Sequence, residues 1–133
     1  MIAKTNIVEL LAHQPPRKNF NVFWVDGEYT LRVAKVKDTF PWHYHPNSDE
    51  GWFVYEGKIT IQTRQGDIPL HQGEAVLIPK GLVHAPRADV ENSIVMIVNG
   101  RSFETIFEDG RSLASVGYTE QDVAGSHKLQ PEP

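Results

Sequence analysis

Short β-rich runs separated by turn residues follow one another at nearly even spacing from Asn21 onward, and this pattern most limits what the chain can become. The turns are marked by the short sequences "DGE", "EGK", "RQGD" and "HQGE". Many short strands at this spacing predict an all-β sandwich or barrel. The chain's 133 residues suit one domain with one core. The predicted strands are "NVFWV", "YTLRVAKV", "GWFVYE", "KITIQTR", "DIPLH", "EAVLIP" and "SIVMIVN".

The N-terminal segment has a different pattern, which predicts one short helix. Asn6 followed three residues later by Glu9 is typical of a capping box. Ile7, Leu10 and Leu11 form one apolar face before "QPP" ends the pattern.

These patterns divide the chain into three parts. Residues 1–20 are predicted to form a helical arm, residues 21–110 the barrel and residues 111–133 a C-terminal extension. Within the extension, Arg111–Val123 is compatible with a turn or a short helix. The final "GSHKLQPEP" is polar and carries two prolines, so we expect a mobile tail.

Composition excludes several classes of function. The formal charge of −4 and the lack of a Lys or Arg cluster argue against nucleic acid and anionic membranes as partners. The chain has no cysteine, so disulfides and thiolate metal sites are excluded and any metal must take nitrogen or oxygen ligands. No run resembles a secretory signal or a membrane span. We expect a cytoplasmic protein.

The stretch "FPWHYHPNSDEGWFVYEG" carries the clearest chemical signal. His43 and His45 lie two apart in an extended segment, so both side chains leave one face with Cα atoms roughly 7 Å apart. The turn formers "PNSD" allow the chain to reverse and return Glu50 to the same place. Two imidazoles and one carboxylate form the facial arrangement typical of non-haem Fe(II), and the same ligands suit Mn, Co, Ni or Zn.

The spacing of these residues resembles the first sequence motif of the cupin family. That motif runs glycine, five residues, His-x-His, three or four residues, Glu, six residues, glycine. His43, His45, Glu50 and Gly57 match it, with four residues between His45 and Glu50. Lys37 stands in place of the leading glycine, so the family's loop geometry does not follow from the sequence at this position.

A second stretch, "GEAVLIPKGLVHAPR", resembles the second cupin motif. That motif runs glycine, five residues, Pro-x-Gly, two residues, His, three residues, Asn. Gly73, Pro79, Gly81 and His84 match it, and Ala88 stands in place of the asparagine. Without this resemblance, His84 is only a histidine after a turn.

The resemblance implies both a fold and a site. The implied fold is all-β, an antiparallel double-stranded β-helix or jelly-roll barrel of about six to eight strands. The implied site holds one divalent metal ion (Fe, Mn, Zn, Ni or Co) through His43, His45, Glu50 and His84, and the implied assembly is commonly a homodimer. The alternative is a polar cluster in the barrel mouth that is held by hydrogen bonds without a metal.

Strand alternation separates Glu50 from the neighbouring carboxylate of Asp49. It sets Glu50, Trp52 and Val54 on one face, and the family spacing also favours Glu50. Trp52 is therefore the first candidate to line a substrate pocket. Side chains that can recognise an anion by paired hydrogen bonds are also candidates. Most of them are more simply explained as polar residues on a strand face that is exposed to solvent. These are Arg32, Gln62, Arg64 and Arg87.

These features predict a metal-dependent protein that acts on or binds a small molecule. As Fe(II), the ion supports a dioxygenase; as Zn, Mn or Ni, it supports an isomerase or lyase. We expect a small polar or sugar-like substrate. The alternative from another class is a non-catalytic protein that binds or senses a small molecule. The sequence contains no motif of a paired nucleophile and base, and no phosphate-binding loop.

Overall fold

The computed structural model describes residues 2–101 and 103–127. Within these residues the chain forms two short helices and eleven strands. The helices are α1 (Ile7–Leu11) and a 3₁₀ helix (Ala114–Val116). The strands are β1 (Lys18–Val25), β2 (Tyr29–Val36), β3 (His43–Tyr44), β4 (Glu50–Glu56), β5 (Lys58–Thr63), β6 (Ile68–His71), β7 (Ala75–Ile78), β8 (His84–Ala88), β9 (Ser93–Gly100), β10 (Ile106–Phe107) and β11 (Thr119–Asp122).

The strands form two sheets that close around one core. The six-stranded sheet has the order β11-β1-β2-β9-β4-β7, and the five-stranded sheet has the order β10-β3-β8-β5-β6. Neighbouring strands are antiparallel except β1 and β11, which run parallel. The main hydrophobic cluster combines Val54 and Val95 of the first sheet with Ile59 and Ile61 of the second. The all-β, antiparallel jelly-roll fold expected from the sequence is confirmed.

Alternation along β4 points one row of side chains into the barrel. Glu50, Trp52 and Val54 are buried, whereas Gly51, Phe53 and Tyr55 between them are more exposed. The face that the sequence assigned to Glu50 is therefore the inner face. It follows that Glu50 lies inside the barrel although it is the first residue of its strand.

The N-terminal helix packs on its own barrel. The side-chain Oδ1 of Asn6 accepts a hydrogen bond from the Glu9 amide at 3.0 Å, which caps the helix start as the sequence predicts. Leu11 is buried against Phe20 and Val33. Val33 alternates with Arg32 along β2, so α1 covers the side of the six-stranded sheet that faces away from the barrel interior.

The segment boundaries differ from the sequence-based division at both ends. Strand β1 begins at Lys18, inside the stretch assigned to the arm. The C-terminal extension forms the 3₁₀ helix and then β11, which pairs with β1 and so belongs to the six-stranded sheet. Residues 128–133 of the expected mobile tail lie outside the described residues. Neither helix in the described part of the chain has the length and apolar character that a membrane crossing requires.

Candidate metal centre and adjoining cavity

Four buried side chains converge inside the barrel. His43 lies on β3, His45 directly follows β3, Glu50 begins β4 and His84 begins β8. His43 and His84 are direct cross-strand partners, which brings the two motifs of the sequence together. One potential ligand atom from each of the four residues lies within 4.8 Å of the others. The structure thus brings together all four residues that the family spacing predicts as metal ligands.

The three imidazole rings are oriented in the same way. In each ring, Nδ1 faces a backbone carbonyl, which can only accept a hydrogen bond, so Nδ1 carries the proton. The Nε2 atom of the neutral ring then presents a lone pair to the interior, as metal-ligating histidines do. The carbonyl partners are Pro41 for His43 at 2.7 Å, Glu104 for His45 at 2.8 Å and Leu82 for His84 at 2.8 Å.

These lone pairs face a carboxylate, and this arrangement requires a positive charge between them. His45 Nε2 lies 3.2 Å from Glu50 Oε2, and His84 Nε2 lies 3.4 Å from Glu50 Oε1. Both Nε2 atoms are buried and have no hydrogen-bond partner among the described residues. Since a lone pair and a carboxylate repel each other, a proton or a cation must join them. Nitrogen and oxygen ligands in this number suit a divalent metal ion.

Glu50 is held in place by donors on the neighbouring strands. Trp52 Nε1 donates to Oε1 at 2.7 Å and Asn99 Nδ2 donates to Oε2 at 3.0 Å. Arg32 Nη2 lies 3.6 Å from Oε2. These contacts fix the carboxylate and stabilise its ionised form.

The pKa shifts of His43 and Glu50 favour the protonation states that a metal ion needs, whereas that of His45 favours its protonated form. Burial, and after it electrostatic repulsion from His84, lowers the pKa of His43 to about 3, so His43 is neutral. Burial acts to raise the pKa of Glu50, but the imidazoles of His45 and His84 that face it outweigh burial and hold that pKa well below 4.5. Burial acts to lower the pKa of His45, but the facing Glu50 carboxylate outweighs burial and raises that pKa above 6.5. Without a metal, His45 is therefore the residue that takes up the balancing proton.

A cavity of about 80 Å³ adjoins three of the four residues. Most of its wall is apolar, and the cluster is exposed to it through His43, His45 and Glu50. An apolar wall keeps bulk water from the site and strengthens electrostatic interactions within it. The apolar side chains that line the cavity include Phe40, Trp52, Val95, Ile97, Phe103 and Leu113.

Two polar side chains form a pair in the same wall. Arg32 is 2% exposed, and its Nη1 donates a hydrogen bond to the Tyr118 hydroxyl. The Arg32 guanidinium carbon lies 4.4 Å from the centre of the Phe103 ring, in a cation–π contact. Burial raises the pKa of Tyr118 to about 12, so its hydroxyl keeps its proton at neutral pH.

The structure separates the pocket residues expected from the sequence into two groups. Trp52 and Arg32 line the cavity. Gln62 is not among the described residues that line it, because its Nε2 donates to the Ala85 carbonyl on the neighbouring strand at 3.3 Å. Asp49 is exposed and accepts a hydrogen bond from the Lys80 amide at 2.9 Å, so it is not part of the cluster.

The two other candidate arginines have partners outside the cavity. Arg64 pairs with Glu108 at 2.5 Å and stacks over Trp42 at 3.8 Å. Arg87 pairs with Asp89 at 3.3 Å. Arg64, in the turn after β5, and Arg87, on β8, therefore belong to the solvated surface of the barrel.

Sequence reasoning missed three residues of the site. Asn99 closes the predicted strand "SIVMIVN", where alternation from Ile97 places it on the inner face, so a signal was present. Phe103 and Tyr118 reach the cavity from segments with no regular pattern. Their positions depend on tertiary packing, which local periodicity does not encode.

Fold and site together define a jelly-roll barrel with a buried His-His-Glu-His cluster inside it. The family model described as the cupin domain matches residues 29–100. The chain belongs to the cupin family. Cupins commonly bind a divalent metal ion, and the cluster of His43, His45, Glu50 and His84 offers the ligands for one.

Comparisons with individual proteins agree with this assignment. The chain is 33% identical over 89 residues to the uncharacterized protein YdbB of Bacillus subtilis (strain 168), which covers 66% of this chain and 77% of that protein. It is 36% identical to a cupin-2 domain containing protein from Shewanella frigidimarina, with a TM-score of 0.59 over 67% of this chain and 82% of that one. A hydroquinone 1,2-dioxygenase, PnpCD, solved with Cd²⁺ and 4-hydroxybenzonitrile, shares the fold at 17% identity and a TM-score of 0.62, over 73% of this chain and 72% of that one.

Proposed function

We propose that this cupin is a metal-dependent enzyme that acts on a small molecule. One divalent ion is held by His43 Nε2, His45 Nε2, His84 Nε2 and the Glu50 carboxylate. The observation that carries this proposal is the common orientation of the three rings, each with Nδ1 on a backbone carbonyl and Nε2 turned to the interior. This orientation leaves two buried nitrogens unpaired unless a proton or a cation lies between them and Glu50, and a divalent ion can pair both at once.

Such an ion would supply a Lewis acid and, as Fe(II), a centre able to bind dioxygen. The chain's own residues do the rest. Trp52 and Asn99 keep the Glu50 oxygens in position, and the carbonyls keep the rings in position. A preorganised set of ligands does not have to reorient during the reaction, which lowers the barrier.

The cavity wall favours a dioxygenase over an isomerase of sugars. A sugar needs a hydrogen-bond partner for each hydroxyl that leaves water, because an unpaired buried polar group is costly. Phe40, Val95, Ile97 and Leu113 offer dispersion contacts, and the Arg32–Tyr118 pair offers hydrogen bonds at one place in the wall. A substrate with an apolar body and one polar end fits them better than the sugar-like substrate expected from the sequence. Dioxygenase chemistry on such a substrate is therefore proposed first, and isomerase or lyase chemistry second.

Oxygen consumption by the Fe(II)-loaded protein tests this proposal. Small unsaturated and aromatic molecules with oxygen substituents serve as the panel, and products are followed by mass spectrometry. Glu50→Gln removes the one carboxylate ligand, and Asp49→Asn changes the exposed carboxylate beside it as the matched control. We expect turnover in the wild type and in Asp49→Asn, with a loss of at least about a hundredfold in Glu50→Gln.

Other outcomes of this experiment would redirect the assignment. Affinity for a panel member without any product would favour the non-catalytic binding protein. Equal turnover in Glu50→Gln and the wild type would show that the cluster is not the active centre.

A further inference from the structure

The charge around the cavity is unbalanced once a metal ion is present. Glu50 is the one carboxylate among the described lining residues, and the basic side chains that also line the cavity are Arg17, Arg32, Lys35 and Lys37. Glu50 already serves the cluster, and a divalent ion adds two further positive charges. Lys37 is exposed, and Arg17 and Lys35 are half-buried, so these three are solvated. Arg32 and a metal ion would together exceed the charge of Glu50 in the buried part, and a buried excess of positive charge is costly in a medium of low dielectric constant. A bound anion would relieve that excess.

Arg32 has donors left over for such an anion. Its Nη1 bonds the Tyr118 hydroxyl, and its Nη2 lies 3.6 Å from Glu50, which is an ion-pair distance rather than a hydrogen bond. Its Nε is buried without a hydrogen-bond partner. A guanidinium carries five N–H donors in a fork that matches a carboxylate. A residue that is 2% exposed and lines a cavity therefore offers donors that the described residues do not fill.

Tyr118 adds a second donor at the same place. Its oxygen accepts the hydrogen bond from Arg32, so its own hydrogen remains available to donate. Phe103 covers one face of the guanidinium, which holds the fork in position. The cavity of about 80 Å³ is much smaller than the roughly 300–1,000 Å³ pockets of drug-sized ligands, so the anion must be small.

We propose that the cavity binds a small aliphatic or aromatic carboxylate, with its carboxylate group on Arg32 and Tyr118 and its apolar body along Phe40, Ile97 and Leu113. The proposal rests on the metal site proposed above and names the class of substrate. Arg32 fixes the charged end, and the apolar wall places the remaining carbon atoms beside the metal ligands. Specificity then comes from the charge of one end and the small size of the other.

A matched pair of probes tests the carboxylate site. Butanoate and butanamide have nearly the same shape and differ in charge, and their binding to the Zn(II)-loaded full chain is measured by calorimetry or NMR titration. We expect butanoate to bind at least about tenfold more tightly, as hydrogen bonds to a charged group imply. Arg32→Met should remove this preference and Arg32→Lys should restore part of it. Arg64→Met changes an exposed arginine outside the cavity and should leave the preference unchanged.

Tyr118→Phe gives a second test that leaves the buried charge in place. It should weaken butanoate binding severalfold without changing butanamide binding. Circular dichroism and metal content of each variant show whether it is folded and loaded. If Arg32→Met does not fold, the Tyr118→Phe result decides the proposal.

The outcomes separate this proposal from the metal proposal. A preference that persists in folded Arg32→Met and in Tyr118→Phe would show that the carboxylate binds elsewhere, and would overturn the carboxylate site. A metal-loaded wild type without any preference would overturn it as well. A wild type that takes up no metal but shows a preference lost in Arg32→Met would uphold the carboxylate site and overturn the metal proposal. A wild type that takes up no metal and shows no preference for butanoate would overturn both proposals.

Discussion

Each oxygen of Glu50 is shared between one imidazole and one fixed donor. Oε1 faces His84 and accepts from Trp52, and Oε2 faces His45 and accepts from Asn99. The donors hold the carboxylate while the imidazoles leave a gap that a cation can fill. The site is thus a set of lone pairs with a fixed orientation. Protonation of His45 should therefore compete with the binding of a metal ion.

This competition predicts how stability depends on pH. The pKa of His45 is raised in the metal-free fold, so its stabilising proton is fully present below 6.5 and is lost as the pH rises through the folded pKa. The pKa of Glu50 is lowered, so its contribution is lost only as the pH falls below 4.5 and through its folded pKa. His43, whose pKa is lowered to about 3, acts in the opposite sense below 6.5, where its protonation favours the unfolded chain. Between about pH 7 and 8.5, the Tm of the metal-free protein should therefore fall as the pH rises.

Metal binding should reverse this trend, because the ion takes the place of the proton on His45. The increase in Tm caused by Zn(II) should grow with pH over the same range. Thermal unfolding followed by circular dichroism, with chelator or with Zn(II), measures both curves. A Zn(II)-induced shift that stays constant or shrinks as the pH rises would contradict this assignment of His45.

His43, His45 and Glu50 were accessible from the sequence because their spacing is local within one motif, whereas His84 joined them only through the cupin resemblance. Trp52 was also accessible, because it follows from alternation after Glu50. Tyr118 was not accessible, because the chain returns it to Arg32 across the barrel from a polar segment. Gln62 was expected in the pocket because its side chain suits an anion, yet its amide is directed to the neighbouring strand.

At the scale of elements, the hairpin between β4 and β5 depends on a glycine. Gly57 has φ +96°, and a Cβ there would lie 2.2 Å from Ser93 Oγ and 2.8 Å from Ser93 Cβ. Ser93 cannot easily move away, because its Oγ accepts from the Lys58 amide at 3.0 Å and donates to the Val90 carbonyl at 2.6 Å. The turn therefore combines a backbone requirement with a steric one.

Gly57→Ala should lower the free energy of unfolding by about 2–4 kcal/mol, from backbone strain and overpacking together. Gly73→Ala is the matched control, because Gly73 has φ +86° but nothing within 4 Å of its added Cβ. It should cost about 1–2 kcal/mol, from the backbone alone. Urea denaturation measures both values. Equal losses would show that the contact with Ser93 relaxes.

The edge strand β11 is attached to the barrel through Asn21. This buried residue donates through Nδ2 to Glu120 at 2.7 Å and to Asp122 at 2.9 Å, and its Oδ1 accepts from Thr30 at 2.7 Å. Every residue of β11 is exposed, so the strand has little apolar burial of its own.

Asn21→Ala should therefore release β11 while leaving the other strands in place. In hydrogen exchange, the amides of Thr119–Asp122 should exchange at least about tenfold faster, since loss of hydrogen bonds to charged groups costs about 1.5–3 kcal/mol. Amides of β2 and β9 serve as the internal reference. Uniform acceleration in all three strands would show that Asn21 supports the whole fold rather than this edge.

The strands that the sequence did not reveal are β3, β8, β10 and β11. β8 has five residues, but it contains Pro86 and its first three residues are all buried, so it shows no alternation. β3 and β10 have two residues each, which is too few for a period of two to be visible. β11 reads "TEQD", which has no apolar alternation because neither face is buried. The longer strands were predicted because one side of each faces the core and the sequence alternates accordingly.

At the scale of the whole molecule, the six-stranded sheet leaves apolar side chains uncovered on its outer face. The outer apolar face is formed by Leu31, Phe53, Leu77, Met96 and Val98. Leu77 is 62% exposed and Val98 is 46% exposed. Contiguous exposed apolar surface is typical of interaction sites. We propose that two copies of the chain meet at the outer apolar face, which keeps the homodimer expected from the family resemblance as a proposal.

Sedimentation equilibrium at micromolar concentration tests the dimer. The wild type should sediment at twice the chain mass of 15.0 kDa, and Leu77→Lys should shift it to the single-chain mass because a charge would be buried at the contact. Val90→Lys is the control, since Val90 is 51% exposed but lies in the turn before β9. A wild type of 15.0 kDa would contradict the dimer, and dimers in both variants would place the contact elsewhere.

The proposed function depends on one metal ion held by the four converging residues. Metal content measured by mass spectrometry tests it most directly, on protein purified without chelators or a histidine tag. His84→Ala removes a buried ligand, and His71→Ala removes an exposed histidine as the matched control. We predict about one ion per chain in the wild type and in His71→Ala, and at least about tenfold weaker binding in His84→Ala. No bound metal after reconstitution of the wild type, or full occupancy in His84→Ala, would contradict the account.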